Sequence, residues 1–253
     1  MTLSERIRAV ALKYHVDQDS PDGARYYRRT IGVAAHGRCA PAPEDVVDFL
    51  YNWGIRKPRT LDRHYAALLE DWGERNESEL NRLRGKTLGT LRGKDYASIQ
   101  HLAAELVYPL RYKKVGTRTY QLISGTIFGK AMHCYLPDAV LLWDEARVRE
   151  NYGLLDDPFS FVCYQAFGRL VFELLGGGRD PRIWTRVVSD HLKDALLLEM
   201  KGGLADPQEL EAKPEPPTKI IDELAYSPRM VRLLKHKVGS NPVEWYSRVV
   251  SHA

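Results

Sequence analysis

The stretch Pro158-Phe-Ser-Phe-Val-Cys-Tyr-Gln-Ala-Phe-Gly-Arg-Leu-Val-Phe-Glu-Leu-Leu175 is apolar on most sides when wound as an α-helix. A helix of that kind is stable only when neighbours surround it, so residues 158–175 are predicted to run through the centre of the fold. Outward from it the same period recurs. Pro43 suits a first helical turn, Val46, Leu50 and Trp53 follow at i, i+4 and i+7, and Gly54 offers a left-handed stop. Thr60 can cap a next helix whose Leu61, His64, Tyr65, Leu68 and Trp72 share a face. Further helices are expected at about 4–15, 23–35, 96–107, 119–135, 145–152, 181–200, 219–237 and 242–249. Only 83–91 and 112–120 have the makings of short ribbons. The class is all-α.

With 253 residues, 44% hydrophobic and 28% charged, the chain can bury one sizeable core or two small ones, and neither disorder nor a fibrous repeat fits. Composition changes most sharply at 204–218, where Pro207, Pro214, Pro216 and Pro217 lie among acids and lysines. This reads as an exposed connection between a helical body, 1–203, and C-terminal helices at 219–253 that either pack on the body or form a small appendage. The apolar runs 139–142 and 195–198 fall far short of the roughly 20 residues a membrane-spanning helix needs. Glu5, Arg6, Arg8 and Lys13 interrupt the N-terminal stretch that a secretory signal would keep apolar, so a cytoplasmic location without membrane association is expected.

Several chemistries lack their residues. Cys39, Cys134 and Cys163 are odd in number and far apart, as buried thiols are, and do not make a disulfide framework or a cysteine-built zinc or iron–sulfur site. No two of the eight histidines stand at i, i+4 on a helix, and no metal is expected. Gly176-Gly177-Gly178 follows a helix rather than a strand and no Gly-Lys-Ser/Thr ending occurs, which disfavours nucleotide hydrolysis. No Gly-x-Ser-x-Gly elbow is present, and no cofactor is expected.

Charge is unevenly placed. Residues 81–130 hold ten basic groups against two acids, while the whole chain nets only +4, so the remainder is slightly acidic. A basic segment on such a background suits a polyanion-binding face, because each neutralised phosphate releases condensed counterions. A solvated face is the bland reading of the same pattern.

Most informative is Leu122-Ile-Ser-Gly-Thr-Ile-Phe-Gly-Lys130-Ala-Met-His-Cys-Tyr-Leu-Pro-Asp-Ala-Val-Leu-Leu-Trp143-Asp144-Glu-Ala-Arg-Val-Arg-Glu-Asn-Tyr-Gly153. Gly125 and Gly129 allow a tight hairpin whose amides can approach an anion, with the next helix N-terminus adding positive potential. Asp144 then stands at the start of a helix ending near Gly153, walled by Leu142 and Trp143 and close to Lys130. The other reading of Asp144 is a plain helix N-cap.

This stretch resembles the signature of the helix-hairpin-helix DNA glycosylase superfamily, in which a glycine-rich hairpin binds a DNA phosphate and an aspartate heading the next helix is catalytic. The resemblance covers about 30 residues, 119–153 holding the hairpin and catalytic helix. It implies a helical bundle with the active site in a cleft between two helical lobes. It assigns Asp144 and Lys130 as catalytic, and Gly125, Thr126 and Gly129 as DNA-binding. Three residues separate the hairpin glycines where the family has one, and Ser124 stands where the family has proline.

Around this core, Arg111, Lys113, Lys114, Arg118 and Arg147 are candidates for backbone contact. Tyr51, Asn52 and Trp53, with Tyr27, offer stacking rings and an amide for a base pocket. The implied partner is double-stranded DNA carrying a modified base, and a monomer is expected. The base is flipped out and its N-glycosidic bond hydrolysed to leave an abasic site, Lys130 holding phosphate rather than attacking the sugar, so that the enzyme is monofunctional. The expected substrate is either a bulky glycosylated cytosine in viral DNA or an oxidised or alkylated lesion. The alternative is a nucleic-acid-binding helical module without catalysis.

Overall fold

The computed structural model describes residues 40–52, 62–107, 113–115, 118–120, 125–177, 217–224 and 227–251, together with Arg6 and Val10. In chain order these form α1 (Pro43–Asn52), α2 (Asp62–Arg75), α3 (Glu77–Arg84), α4 (Gly93–Val107), β1 (Lys113–Val115), β2 (Arg118–Tyr120), α5 (Gly125–Tyr135), α6 (Glu145–Tyr152), α7 (Pro158–Leu174), α8 (Pro217–Leu224), α9 (Pro228–Val238) and α10 (Pro242–Ser251). The fold is mostly helical. The two strands make one antiparallel ribbon in which Lys113 pairs with Tyr120, Lys114 with Thr119 and Val115 with Arg118. No helix among the described residues is long and apolar enough to cross a membrane.

The apolar stretch that opened the sequence reading is α7, and α4, α8, α9 and α10 all pack on it. Its start is fixed locally. Asp157 accepts the Ser160 amide at 2.9 Å and the Ser160 hydroxyl at 2.8 Å, and Pro158 follows at the first turn, where its missing N–H costs nothing. Nearly every side chain from Phe161 to Gly168 is buried, each large one contributing about 1.5–3 kcal/mol. The C-terminal helices close this core. Ser227 caps α9 ahead of Pro228, and the fully buried Trp245 of α10 stands 4.9 Å from the ring of Phe167 and donates its indole N–H to Gly239 O at 2.9 Å. They therefore pack on the body, with no separate appendage.

Four sequence expectations change. The helix expected over 119–135 begins only at Gly125, because 118–120 is taken up by the ribbon. The segment 83–91 is no ribbon but the end of α3 followed by turns. Helix α3 itself was not expected, since only Leu80 and Leu83 in its eight residues are apolar and buried. The helix expected over 219–237 is two, α8 and α9, with Ser227 and Pro228 starting the second. The helices expected at 23–35 and 181–200, all of that expected at 4–15 but Arg6 and Val10, and most of the connection 204–218, lie outside the described residues.

Candidate active site

Between α5 and α6 the chain crosses the interior as a connector, residues 136–143, all of it buried except the half-buried Asp138. Buried backbone must find hydrogen-bond partners, and here both side chains and neighbouring backbone supply them. Gln165 Oε1 of α7 accepts the Leu141 N–H at 2.6 Å, the Asp138 carbonyl accepts the Leu88 N–H at 2.7 Å, and the His133 ring lies with Nδ1 2.5 Å from the Val140 carbonyl. A carbonyl can only accept, so His133 carries its proton on Nδ1. That makes it a fastener of the connector.

Two glycines let the connector approach the helices. A Cβ built on Gly168 of α7 would meet Leu141 Cδ1 at 2.5 Å, and one built on Gly129 of α5 would meet Trp143 Cβ at 2.2 Å. Gly129 is therefore a notch inside a helix, buried against Trp143. This corrects the hairpin reading. Gly125 opens α5, Thr126 is half-buried in its first turn, and Gly129 has no open face to offer a phosphate.

Gly129 touches Trp143, and the residues that follow each, Lys130 and Asp144, lie within electrostatic range of one another. Asp144 is the N-cap of α6 and accepts the Arg147 N–H at 3.2 Å, while Gly153, at φ 69°, ends the helix in the left-handed region. Both the functional and the capping reading place the carboxylate at this helix head. Lys130 is only 5% exposed. Burial pushes its ammonium down from 10.5 to about 8, with Asp144 and Asp222 pulling it back up and Lys219 opposing them. A lysine so enclosed is not a solvated phosphate holder, and that expectation is corrected too.

Asp222 and Lys219 belong to α8 and were not singled out in the sequence. They are 4% and 1% exposed, and Tyr164 of α7 donates its hydroxyl to Asp222 Oδ1 at 3.3 Å. Their spacing, i and i+3 on a helix whose Ile221 and Leu224 are also buried, is the available signal, but surface ion pairs share it. Aromatic rings wall the cluster. Trp143 lies 5.6 Å from both Phe161 and Tyr164, and Phe128 lies 5.0 Å from Phe161. The Trp143 indole N–H is buried without a partner among the described residues. Burial pushes the Cys134 thiol far above its usual range, so it is not a thiolate nucleophile.

The other expected site residues are more dispersed. Arg147 is exposed on α6 and pairs with Glu150 at 3.4 Å. Lys113, Lys114 and Arg118 lie on the ribbon. Tyr51 is half-buried against the core, and Asn52 ends α1. Tyr27, Trp53 and Arg111 lie outside the described residues. Some of the basic stretch is neutralised internally, Arg82 by Glu79 and Asp95 and Lys86 by Asp95.

A cleft of about 600 Å³ opens elsewhere, between α1, α2 and α3, where Glu70, Glu74 and Glu77 face Arg84 and Tyr135. Its acids suit no phosphate, and neither Lys130 nor Asp144 lines it. Among the described residues no three His, Cys, Asp or Glu side chains gather as a metal site requires. No protein-family model, curated protein or solved structure matches the chain.

Proposed function

We propose that this chain is a DNA glycosylase that extrudes a modified base from duplex DNA and breaks its N-glycosidic bond at Asp144 and Lys130. The observation that carries the reading is the Gly129–Trp143 contact, which brings an enclosed lysine amine beside a carboxylate at a helix head. What remains of the glycosylase resemblance once the hairpin is gone, an aspartate heading the helix after Lys130, supports the same pair. The finer architecture, a cleft between two helical lobes, belongs to this proposal, as does backbone contact by the ribbon cations Lys113, Lys114 and Arg118.

A base within a duplex is out of reach, so the nucleotide is flipped before chemistry. The base departs with the electron pair of the C1′–N bond and takes up a proton. Asp144 stabilises the positive charge that develops at C1′. Lys130 has a second role open to it because it is enclosed. Once its ammonium has lost a proton to water, the amine lone pair bonds to C1′. Loss of a further N–H proton and opening of the C1′–O4′ bond, with O4′ taking a proton, leave a protonated imine. This replaces the monofunctional expectation with a glycosylase that can also form a Schiff base. The substrate class is a modified base, either an oxidised or alkylated lesion or a bulky glycosylated cytosine.

Incubation with duplexes bearing such bases, followed by an abasic-site assay and borohydride trapping, tests this. Base release and a trapped protein–DNA adduct are expected. Lys130→Met abolishes the adduct, and Asp144→Asn lowers release by about a thousandfold while keeping the helix cap, since asparagine caps as well as aspartate. Salt-dependent DNA binding without release from any duplex overturns the reading in favour of a non-catalytic binder, in which the Asp144–Arg147 cap is the whole role of that carboxylate.

A further inference from the structure

Four ionisable side chains lie within electrostatic range of one another at the candidate site, and two of them come from a helix that the proposed reaction does not use. Lys130 of α5 and Asp144 at the head of α6 are joined by Lys219 and Asp222 of α8. Three of the four are almost wholly buried, and Asp144 is half-buried. Charges survive in such a place only when opposite signs adjoin, and two ammonium groups with two carboxylates meet that requirement.

Helix α8 is tied to the parts that hold this group. Thr218 Oγ1 donates to the Pro137 carbonyl of the connector. Asp222 accepts from Tyr164, whose ring is edge-on to Trp143, the residue before Asp144. Both ties therefore end on elements that also place Lys130 and Asp144.

We propose that Asp222 is a positioning residue for Lys130, that Lys219 opposes it, and that α8 thereby forms a wall of the active site and governs when Lys130 is a nucleophile. The catalytic consequence rests on the glycosylase reading, whereas the charge relation holds in the absence of DNA. The groups acting on Lys130 are Asp144 from α6, Asp222 and Lys219 from α8, and the Cys134 thiol from its own helix. The carboxylates stabilise the ammonium, which has no lone pair to give. Lys219 and burial favour the neutral amine. Removing Asp222 therefore frees the amine at lower pH, and removing Lys219 delays it to higher pH.

The test is an NMR titration of the full chain labelled with carbon-13 at lysine Cε, without DNA, the Lys130 signal being assigned by its loss in Lys130→Met. The wild-type midpoint is expected near 8. Asp222→Asn should move it down and Lys219→Met should move it up, each by about one pH unit, and Asp222→Glu should bring it back toward wild type. Shifts of opposite sign are something a merely structural role does not produce. A midpoint that neither substitution moves, or that both move in one direction, overturns the proposal. Should Asp222→Asn fail to fold, Lys219→Met decides alone, and a midpoint that does not rise overturns it. Base-release assays on the same proteins separate the two ideas. Opposite shifts without release from any duplex sink the glycosylase reading and leave the Asp222–Lys130 relation standing.

Discussion

Two charged clusters in this molecule use similar residues and reach opposite ends. Between α3 and α4, Arg82 forks onto Glu79 at 2.7 Å and Asp95 at 2.5 Å, Ser98 accepts from the same guanidinium at 2.8 Å, and Lys86 adds its charge to Asp95 at 3.5 Å. Hydrogen bonds from Arg82 and Ser98 hold the Glu79 carboxyl at about 2. Burial pushes Asp95 up, but Arg82, the Arg92 N–H and Lys86 together keep it below the usual carboxylate range. Every charge there is reinforced. At Lys130 the balance reverses, since a point-like ammonium lacks the planar fork of arginine and loses more to burial than its two carboxylates return. Directed hydrogen bonds with some water left give a brace, whereas an enclosed amine with carboxylates nearby gives an ammonium that sheds its proton more readily.

The contrast can be broken most severely at Lys130 itself. Its folded pKa lies below its unfolded value, so between about 8 and 10.5 the unfolded chain holds a proton that the folded chain has shed, and stability rises with pH across that window. Below about 8 the cost of the buried charge is fully present. A depression of this size amounts to on the order of 3 kcal/mol, and Lys130→Met should lose that alkaline rise when urea midpoints are compared at pH 7 and pH 10.

A smaller effect is expected at the notch. Gly129→Ala forces its Cβ onto Trp143 and should cost about 2 kcal/mol, seen as a fall of several degrees in Tm. At Gly85, where nothing lies within 4 Å, the same change should be neutral or slightly stabilising. Least affected is the brace. Arg82→Met should cost about 1 kcal/mol, because Lys86 and the Arg92 N–H still hold Asp95. Glu79 contributes stability above its unfolded pKa, and this is lost as pH falls from about 4.5 toward 2. In Arg82→Met, acid unfolding over that range should be correspondingly flatter.

Local chemistry made much of this readable in advance. Helix α6 runs from Glu145 to Tyr152 as expected because Asp144 and Gly153 mark its ends, and α7 was recognisable from an apolar surface too broad for any exposed helix. The Lys130 and Asp144 types and their flanking rings pointed to one place. The hairpin misled because two glycines four apart look like a turn, yet in a helix i and i+4 fall on one face and can seat a tryptophan. Lys219 and Asp222 were illegible for a different reason. Nothing near them in the chain tells which surface α8 covers, and only the ties to Pro137 and Tyr164 set their ordinary ion-pair spacing against the connector and α7.

The connector's seating between Gly129 and Gly168 has a consequence for how this chain can vary. Leu141 and Trp143 each occupy a recess in a different helix, and Asp144 takes its orientation from the residue just before it. Side chains along this segment can be exchanged for others of similar bulk, but its length cannot change. One residue added or removed between 137 and 143 would slide both anchors out of their recesses and swing the carboxylate away from the amine. The span from Lys130 to Asp144 therefore works as a ruler.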